Sequence, residues 1–412
     1  MDLFKKIERN FGPLGAYQKA AEGYYMFPKL EGPISNRMNF KGDEHIVWSI
    51  NNYLGLADHP EVREADTQAT QKWGLAAPMG SRMMSGNTER HEELERQLAE
   101  FEGRESSVLL NYGYQGIMST IDALVGRHDV LVYDSECHAC IMDAIRMHLG
   151  KSFAYKHNDM GSLETQLQRA HKYMEGNPEA SLLVISEGVF GMKGDQGKLS
   201  EIVALKEKYS FRFLVDDAHG FGTLGATGAG AGEQQGVQEG IDVYFATFAK
   251  SMASIGAFLA GSKMVMDFLR YNLRSQIFAK SLLVEGDLKR LQLLREREEL
   301  RTNLWEVVNA LQGGLRNAGF EIGVTNSCVT PVFLKGSVEE AMALVRDLRE
   351  NYRIFCSIVI YPVIPKGEII LRLIPTAVHN LEDVRRTIEA FEVIQKRLQE
   401  GTYRKMVEAY QH

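Results

Sequence analysis

The stretch ATFAKSMASIG (Ala246–Gly256) decides the predicted fold, together with VDDAHG (Val215–Gly220) further upstream. The first stretch overlaps the end of the apolar run Val243–Ala246, and the second overlaps the end of Phe213–Val215. Both runs have the length and composition of a buried strand. In an open α/β sheet, ligand-binding residues collect where the parallel strands end. We therefore expect both stretches at the same edge of a mostly parallel sheet.

Lys250 is the residue whose chemistry stands out in these stretches. A lysine at the end of a buried strand is disfavoured as a cation, so its pKa would fall toward the range in which the amine is nucleophilic. Such an amine can form a Schiff base, and Asp216 could pair with a protonated pyridine nitrogen. A lysine and an aspartate in these roles are typical of pyridoxal 5′-phosphate (PLP) sites. The alternative for Lys250 is a solvent-exposed side chain. For Asp217, the preferred interpretation is a neighbouring side chain that faces away from the site.

Apolar runs alternate with helical intervals from Ser107 to about residue 285. Near-continuous apolar runs are expected for parallel strands covered by helices on both faces. Besides the two strands named above, the predicted strands are Val108–Leu110, Val130–Tyr133 and Leu182–Ile185. The pattern therefore predicts the α/β class, with a large domain built on a mostly parallel central sheet.

The C-terminal part predicts a smaller α+β domain. A long charged helix, Leu288–Leu311, is expected to lead into strands at Val329–Phe333, Phe355–Ile360 and Ile369–Leu373. The predicted organisation is an N-terminal helix and arm in residues 1–50, a large cofactor-binding domain in residues 51–285 and a small domain in residues 286–412.

Composition and charge exclude several classes of protein. The hydrophobic content of 44% and charged content of 25% are ordinary for a globular chain. A net charge of −7 without a basic stripe argues against nucleic-acid binding. No apolar run is long enough for a transmembrane segment, and the N-terminus lacks the apolar region of a signal peptide. We expect a cytoplasmic protein.

Cysteine spacing gives a weak signal. Cys137 and Cys140 have C-x-x-C spacing, but Cys328 and Cys356 stand alone, so no second pair completes a metal site. Reduced thiols without a metal are the preferred interpretation.

The sequence resembles the α-oxoamine synthases, PLP enzymes with the aspartate aminotransferase fold (fold type I), from about Asn51 to about Thr376. The resemblance rests on motifs in matching order and spacing, and within the family it favours the serine palmitoyltransferase and cysteate acyltransferase branch. The motifs are Tyr53–Leu56, Val215–His219, Thr247–Gly256 and Asn272–Ser275.

The resemblance implies catalytic roles for four residues. Lys250 would carry the cofactor as a Schiff base and move the α-proton of the substrate. Asp216 would keep the pyridine nitrogen protonated, and His219 would reach the ring oxygen. His138 matches the histidine that stacks on the face of the cofactor ring.

Other matches concern the cofactor phosphate. Gly113 and Tyr114 follow a predicted strand and open a helix, where backbone N–H groups and the helix dipole favour a phosphate. Thr247 would add a hydroxyl. Ser281 matches a hydroxyl that family members lend across a dimer interface, so the resemblance implies a homodimer with shared active sites.

Substrate residues are implied in the same way. Arg372 matches the arginine that binds the substrate α-carboxylate, although an ion pair within the small domain is the alternative, and Asn51 matches an asparagine near the substrate. Gly191 replaces a usual serine that contacts the ring oxygen. Either His219 serves that oxygen alone, or the vacated space admits substrate. Lys280 replaces a small residue and either faces an additional anionic group or is solvated.

The implied reaction is decarboxylative condensation of a small amino acid with a long-chain acyl thioester. Gly191 and Lys280 favour cysteate, which would give a sulfonolipid precursor, over serine, which would give a sphingolipid precursor. The alternatives are 8-amino-7-oxononanoate synthase or glycine C-acetyltransferase activity and, outside the family, a fold type I aminotransferase. The acyl donor could be a thioester of coenzyme A or of an acyl-carrier protein, although the net negative charge does not favour an acidic carrier.

Overall fold

The computed structural model describes residues 2–410. Its helices are α1 Leu3–Arg9, α2 Gly12–Gly15, α3 Gln18–Ala21, α4 Pro60–Trp73, α5 Glu89–Phe101, α6 Gly113–Leu124, α7 Ala139–Met147, α8 Met160–Met174, α9 Leu199–Ala204, α10 Ala231–Gln234, α11 Lys263–Asn272, α12 Arg274–Ile277, α13 Glu285–Glu296, α14 Glu298–Asn317, α15 Val338–Tyr352, α16 Leu381–Gln399 and α17 Thr402–Tyr410. Its strands are β1 Leu30–Glu31, β2 Arg37–Phe40, β3 Asp43–Val47, β4 Ser106–Leu110, β5 Val130–Asp134, β6 Lys151–Tyr155, β7 Leu182–Glu187, β8 Arg212–Asp216, β9 Val243–Thr247, β10 Ala257–Gly261, β11 Thr330–Leu334, β12 Ile354–Phe355, β13 Ser357–Val359 and β14 Ile369–Leu373.

Two compact units make up the described chain. The large unit contains Leu54–Gly191 and Asp195–Arg301. The small unit contains the residues up to Tyr53, the short segment Met192–Gly194 and the residues from Thr302 onward. The small unit thus includes both the N-terminal arm and the C-terminal region, because β3 pairs in parallel with β12.

A seven-stranded sheet forms the centre of the large unit, in the order β4-β10-β9-β8-β7-β5-β6. Strand β10 runs antiparallel to β4 and β9, and the other neighbouring pairs are parallel. Strands β7, β9 and β10 are buried along their whole length, as expected for strands covered on both faces. The predicted mostly parallel α/β sheet is confirmed.

The direction of the strands positions the site. Because β4, β5, β7, β8 and β9 point the same way, the segments that follow them begin at one edge of the sheet. Helices α6, α7 and α11 bury apolar side chains against the strands, including Ile117, Ile121, Ile141 and Leu269. This packing fixes the start of α6 and the start of α7 at that edge.

The small unit has two sheets, β1-β2-β3-β12 and β11-β14-β13. Trp48 lies in its core, fully buried, and stacks on His379 with ring centroids 3.9 Å apart. The predicted run Phe355–Ile360 divides between β12 and β13, which belong to different sheets.

The prediction of one helix over Leu288–Leu311 is wrong. The chain forms α13 and α14, which are separated at Arg297, where the backbone leaves the helical region at φ −110° and ψ 72°. The Arg297 N–H still closes α13 on the Leu293 carbonyl, at 2.8 Å. Glu298 and Glu299 then start α14, where carboxylates favour the positive end of the helix dipole.

All four cysteines are buried, and none of them forms a disulfide bond. Within residues 2–410, His, Cys, Asp and Glu side chains form no group that could hold a metal ion. No helix in this part of the chain combines the length and apolarity that a membrane span requires.

Asp217 is a buried carboxylate whose contacts lie with α10 and β9. Its Oδ2 accepts the Ala231 N–H at 2.7 Å and the Tyr244 hydroxyl at 3.2 Å. A Cβ at Gly188 or Gly230 would lie 1.9 Å from a carboxylate oxygen, so only glycine leaves room there. Burial raises the pKa of Asp217 to about 7.

Asp217→Asn should make thermal stability less dependent on pH. The folded state holds this proton more tightly than the unfolded chain, whose aspartate pKa is about 3.9. Stability of the wild type should therefore fall as the pH rises from about 4 to about 7, by at most about 1.4 kcal/mol per pH unit. The variant has no such proton, so its melting temperature relative to the wild type should increase between about pH 5 and about pH 8. A difference that stays constant with pH would contradict the raised pKa.

Candidate active site

Lys250 lies in the tight loop that joins β9 to β10. The Phe248 N–H donates to the Gly256 carbonyl at 2.9 Å, and the Ser254 N–H donates to the Phe248 carbonyl at 2.9 Å. Ala253 has φ +47° and Gly256 has φ +130°, where a side chain would also meet the Phe248 ring. These bonds hold the backbone of Lys250, and its side chain is half-buried.

Asp216 ends β8 and is buried. Burial holds the pKa of its carboxyl above the ordinary value, although the charges of Lys250 and His138 oppose this shift. One carboxylate oxygen accepts the Ala218 N–H at 3.1 Å. The structure therefore brings together Lys250, Asp216 and His138, three of the residues singled out by the sequence.

His138 caps the N-terminus of α7. Its Nδ1 accepts the Cys140 N–H at 3.3 Å and lies 2.9 Å from the Cys140 sulfur, so the proton of the neutral ring is on Nε2. Burial lowers the pKa of His138, and the Asp216 charge partly offsets this. The backbone N–H of His138 donates to the Glu187 carboxylate, which fixes the loop after β5 to the end of β7.

The start of α6 and the end of β9 form a small cradle. The first turn of α6 has no side-chain cap, and the N–H groups of an uncapped helix start favour binding of an anion. A Cβ on Gly113 would lie 3.0 Å from Thr247 Oγ1, so glycine permits this close approach. The Thr247 hydroxyl donates to the Gly256 carbonyl at 3.1 Å. The Tyr114 hydroxyl donates to Asp143, so this residue offers its backbone N–H to the cradle.

Gly191 and His219 are in close contact. A Cβ on Gly191 would lie 2.0 Å from Nε2 of His219 and 2.5 Å from its Cδ2. The imidazole therefore fills the space beside the Gly191 backbone. Of the two alternatives that the sequence leaves open, this packing favours His219 serving the ring oxygen alone. A serine at position 191 would require the His219 ring to move.

Lys280 and Ser281 lie beside the end of β4. The Asn111 side-chain amide donates to the Lys280 carbonyl at 2.8 Å, and the Lys280 side chain is exposed. The Ser281 hydroxyl donates to the Gly86 carbonyl at 2.6 Å, and its N–H donates to the Gly80 carbonyl at 3.0 Å. These hydrogen bonds of Ser281 are within its own chain.

Asn51 and Arg372 lie together in the small unit. Arg372, on β14, is buried, and its guanidinium donates to Asn51 Oδ1 at 3.3 Å. Burial lowers the pKa of Arg372, whereas its interaction with Tyr53 raises it. Two of the three predicted substrate residues, Asn51 and Arg372, thus contact each other. The third, Lys280, and the predicted cofactor residues lie in the large unit.

Sequence reasoning missed Glu187 and a second cluster in the large unit. His157 Nδ1 lies 3.0 Å from Asp134 Oδ1, and its Nε2 lies 2.8 Å from Asp195 Oδ2. The position of His157 in the chain was the signal that could have revealed this cluster. His157 follows β6, and the candidate site lies at the edge of the sheet where β6 ends. Strand β6 itself was not predicted, since its buried and exposed residues alternate.

The residues at this edge of the sheet fit PLP. The arrangement offers the Lys250 amine for covalent attachment, the buried Asp216 carboxylate for a pyridinium nitrogen, and the uncapped start of α6 for a phosphate. The Gly113 backbone also leaves the cradle open where a Cβ would narrow it.

Comparison with known proteins gives concordant results. The family model for aminotransferase class I and II matches residues 43–391. A cysteate-C-fatty acyltransferase from Capnocytophaga ochracea is 61% identical, over 98% of this chain and 96% of its own.

Solved structures agree in fold. The serine palmitoyltransferase of Sphingomonas wittichii has a TM-score of 0.87 and 29% identity, covering 96% of this chain and 98% of its own. A variant of the S. paucimobilis serine palmitoyltransferase that holds bound PLP has a TM-score of 0.88 and 28% identity, covering 97% and 100%. The chain belongs to the class I and II aminotransferase family and, within it, to the α-oxoamine synthases, which are PLP-dependent C-acyltransferases.

Proposed function

We propose that this enzyme condenses cysteate with a long-chain acyl thioester, releasing carbon dioxide, and so makes a sulfonolipid precursor. The observation that carries the proposal is the 61% identity, over nearly the whole chain, to a protein named for cysteate, against 35% to the serine palmitoyltransferase of Bacteriovorax stolpii. Serine is therefore the second candidate, and the sphingolipid precursor would be its product.

In the reaction, a carbon–carbon bond forms between the α-carbon of the amino acid and the carbonyl carbon of the thioester. The sulfur leaves the thioester as a thiolate, which takes up one proton, and the α-carboxylate leaves as carbon dioxide. The α-proton that is removed before the carbon–carbon bond forms is replaced at the same carbon after carbon dioxide leaves. From cysteate, the product would be a 2-amino-3-oxoalkane-1-sulfonate.

We propose four catalytic roles that the geometry of the large unit supports. PLP, when bound, would supply the electron sink that stabilises negative charge at the α-carbon. Lys250, whose loop is held by backbone hydrogen bonds, would hold the cofactor and move the α-proton. The buried Asp216 carboxylate would keep the ring nitrogen protonated, and His138, at the start of α7, would stack on the ring. His219, seated against Gly191, would reach the ring oxygen.

We also propose residues that bind the cofactor phosphate and the substrate carboxylate. The N–H groups of Gly113 and Tyr114 and the Thr247 hydroxyl would hold the phosphate. The Arg372 guanidinium, steadied by Asn51, would bind the substrate α-carboxylate, for which its planar fork is suited.

We also infer a homodimer with shared active sites, in which Ser281 lends its hydroxyl to the neighbouring subunit. Exposed apolar side chains near Ser281 support this interface; Ser281 itself is buried, and its hydroxyl would turn from the Gly86 carbonyl to the neighbouring subunit's cofactor. Phe278 is 72% exposed and Met84 is 77% exposed. Met84 lies in the loop whose Gly80 and Gly86 carbonyls bind Ser281. Exposed apolar side chains grouped in this way are typical of an interface between protein chains.

The substrate assignment is tested by titrating the PLP-loaded protein with cysteate, serine, alanine and glycine. We expect a saturable shift of the visible absorption band with cysteate and weak shifts with the others. Adding a long-chain acyl thioester should then release carbon dioxide and thiol in equal amounts.

Three other outcomes would overturn the assignment. A response to serine alone would indicate sphingoid-base synthesis, and a response to alanine or glycine would indicate one of the short-acyl synthases. Conversion of the cofactor by a keto-acid acceptor without thioester would indicate a transaminase.

Lys280 is proposed to bind the sulfonate. Its backbone lies beside Asn111, near the start of α6, and its side chain is exposed. Lys280→Ala should raise KM for cysteate about 10-fold or more, since a hydrogen bond to a charged group contributes about 1.5–3 kcal/mol. KM for serine should change little. Lys280→Arg should retain part of the effect, and the exposed Lys172→Ala is the matched control. Equal changes for cysteate and serine would exclude this role.

Gly191→Ala and Gly191→Ser should displace His219. The added Cβ would overlap the imidazole, so we expect weaker cofactor binding, a shifted pH titration of the visible band and a lower kcat. Gly126→Ala is the control, because its Cβ would meet Asp129 only at 3.5 Å. In a His219→Ala background, Gly191→Ala should have little further effect. Additive losses in the double variant would show that Gly191 acts independently of His219.

A further inference from the structure

His157 lies between two carboxylates at the edge of the sheet that carries the site. Its Nδ1 is 3.0 Å from Asp134 Oδ1, its Nε2 is 2.8 Å from Asp195 Oδ2, and its side chain is 19% exposed. Glu136 adds a third carboxylate 4.0 Å from Nε2. Burial opposes a charged ring, but the hydrogen bonds to Asp134 and Asp195 raise the pKa of His157 to about 10. Both nitrogens therefore donate at neutral pH.

The first carboxylate organises the loop that carries His138. Asp134 ends β5, and its side chain is fully buried. Its Oδ1 also accepts the Glu136 N–H at 2.9 Å, and its carbonyl accepts the Cys137 N–H at 3.2 Å. These bonds form the turn that leads directly to His138 at the start of α7.

The second carboxylate residue organises the loop that carries Gly191. The Asp195 carbonyl accepts the Phe190 N–H at 2.9 Å. The Phe190 ring meets the His157 ring edge to face, with centroids 4.4 Å apart. Phe190 immediately precedes Gly191, whose backbone lies against His219. His157 thus contacts both sides of the base of this loop.

We propose that His157 is a positioning residue, which holds Asp134 and Asp195 together and thereby sets the positions of both His138 and His219. This inference rests on the proposed roles of those two histidines. A charged ring is needed because only a doubly protonated imidazole can donate to both carboxylates at once. Two carboxylates so close together, one fully buried and the other 19% exposed, also favour a cation between them.

Asn158 explains why the loops should stay attached when His157 is replaced. Its N–H donates to Asp134 Oδ2 at 2.9 Å, and its side-chain amide donates to Asp195 Oδ2 at 2.7 Å. It therefore bridges the same carboxylates without a charge. Loss of the His157 ring should loosen the two loops rather than release them.

The test compares His157→Gln with the wild type, both loaded with PLP. A glutamine amide cannot donate to both carboxylates from the place of the ring. We expect faster hydrogen exchange confined to residues 134–138 and 189–196, and a shifted pH titration of the visible band. We also expect kcat for the condensation to fall about 10- to 100-fold with KM within about twofold, as for misplaced catalytic groups. The exposed His128→Gln is the matched control.

Two results would overturn the proposal. One is unchanged exchange in both loops. The other is faster exchange spread over the large unit with an unchanged titration of the visible band, which would indicate a purely structural role.

Asp195→Asn provides a second variant should His157→Gln fail to fold. It keeps an oxygen for the hydrogen bond but removes one charge, and exchange should rise mainly in residues 189–196. Unchanged exchange there would count against the proposal. A wrong assignment of the proposed function would give a different result. The wild type would then not turn over cysteate, independently of the hydrogen-exchange rates.

Discussion

The burial of one carboxylate, Asp216, at the end of a central strand is the constraint on which the site depends. A buried carboxylate costs free energy unless cations or donors lie near it, and Lys250 and His138 lower that cost from the segments that follow β9 and β5. The arrangement requires parallel strands, because only then do their last residues meet at one edge. These charge interactions also favour a close arrangement of Asp216, Lys250 and His138.

Two glycines allow polar side chains to pack closely against the backbone around the site. Gly191 admits the His219 ring, and Gly113 admits Thr247. In both places a methyl group would push a polar side chain away from the region around Lys250. Hydrogen bonds from His157 to Asp134 and Asp195 join the loop after β5 to the loop after β7. Precision at the site therefore rests on residues that need not touch the cofactor or substrate.

Sequence reasoning predicted the sheet well and the side-chain packing poorly. Continuous apolar runs identify β4, β5, β7, β8 and β9. Two strands of the sheet were missed: the edge strand β6, whose buried and exposed residues alternate, and β10, which is fully buried but rich in small residues. The break at Arg297 carries no glycine or proline, so the helical pattern runs through it. From the sequence, the space beside Gly191 could be filled by the His219 ring or by substrate. The identity of one residue does not show which neighbour fills that space. The residue roles themselves came from resemblance and stay predictions.

The antiparallel direction of β10 has a consequence for how the enzyme acquires its cofactor. The chain leaves β9, forms the short Lys250 loop and returns at once beside the same strand. A connection this local closes at small entropic cost. Its own backbone hydrogen bonds hold the Lys250 loop, so binding of a cofactor there should need little further ordering of the backbone.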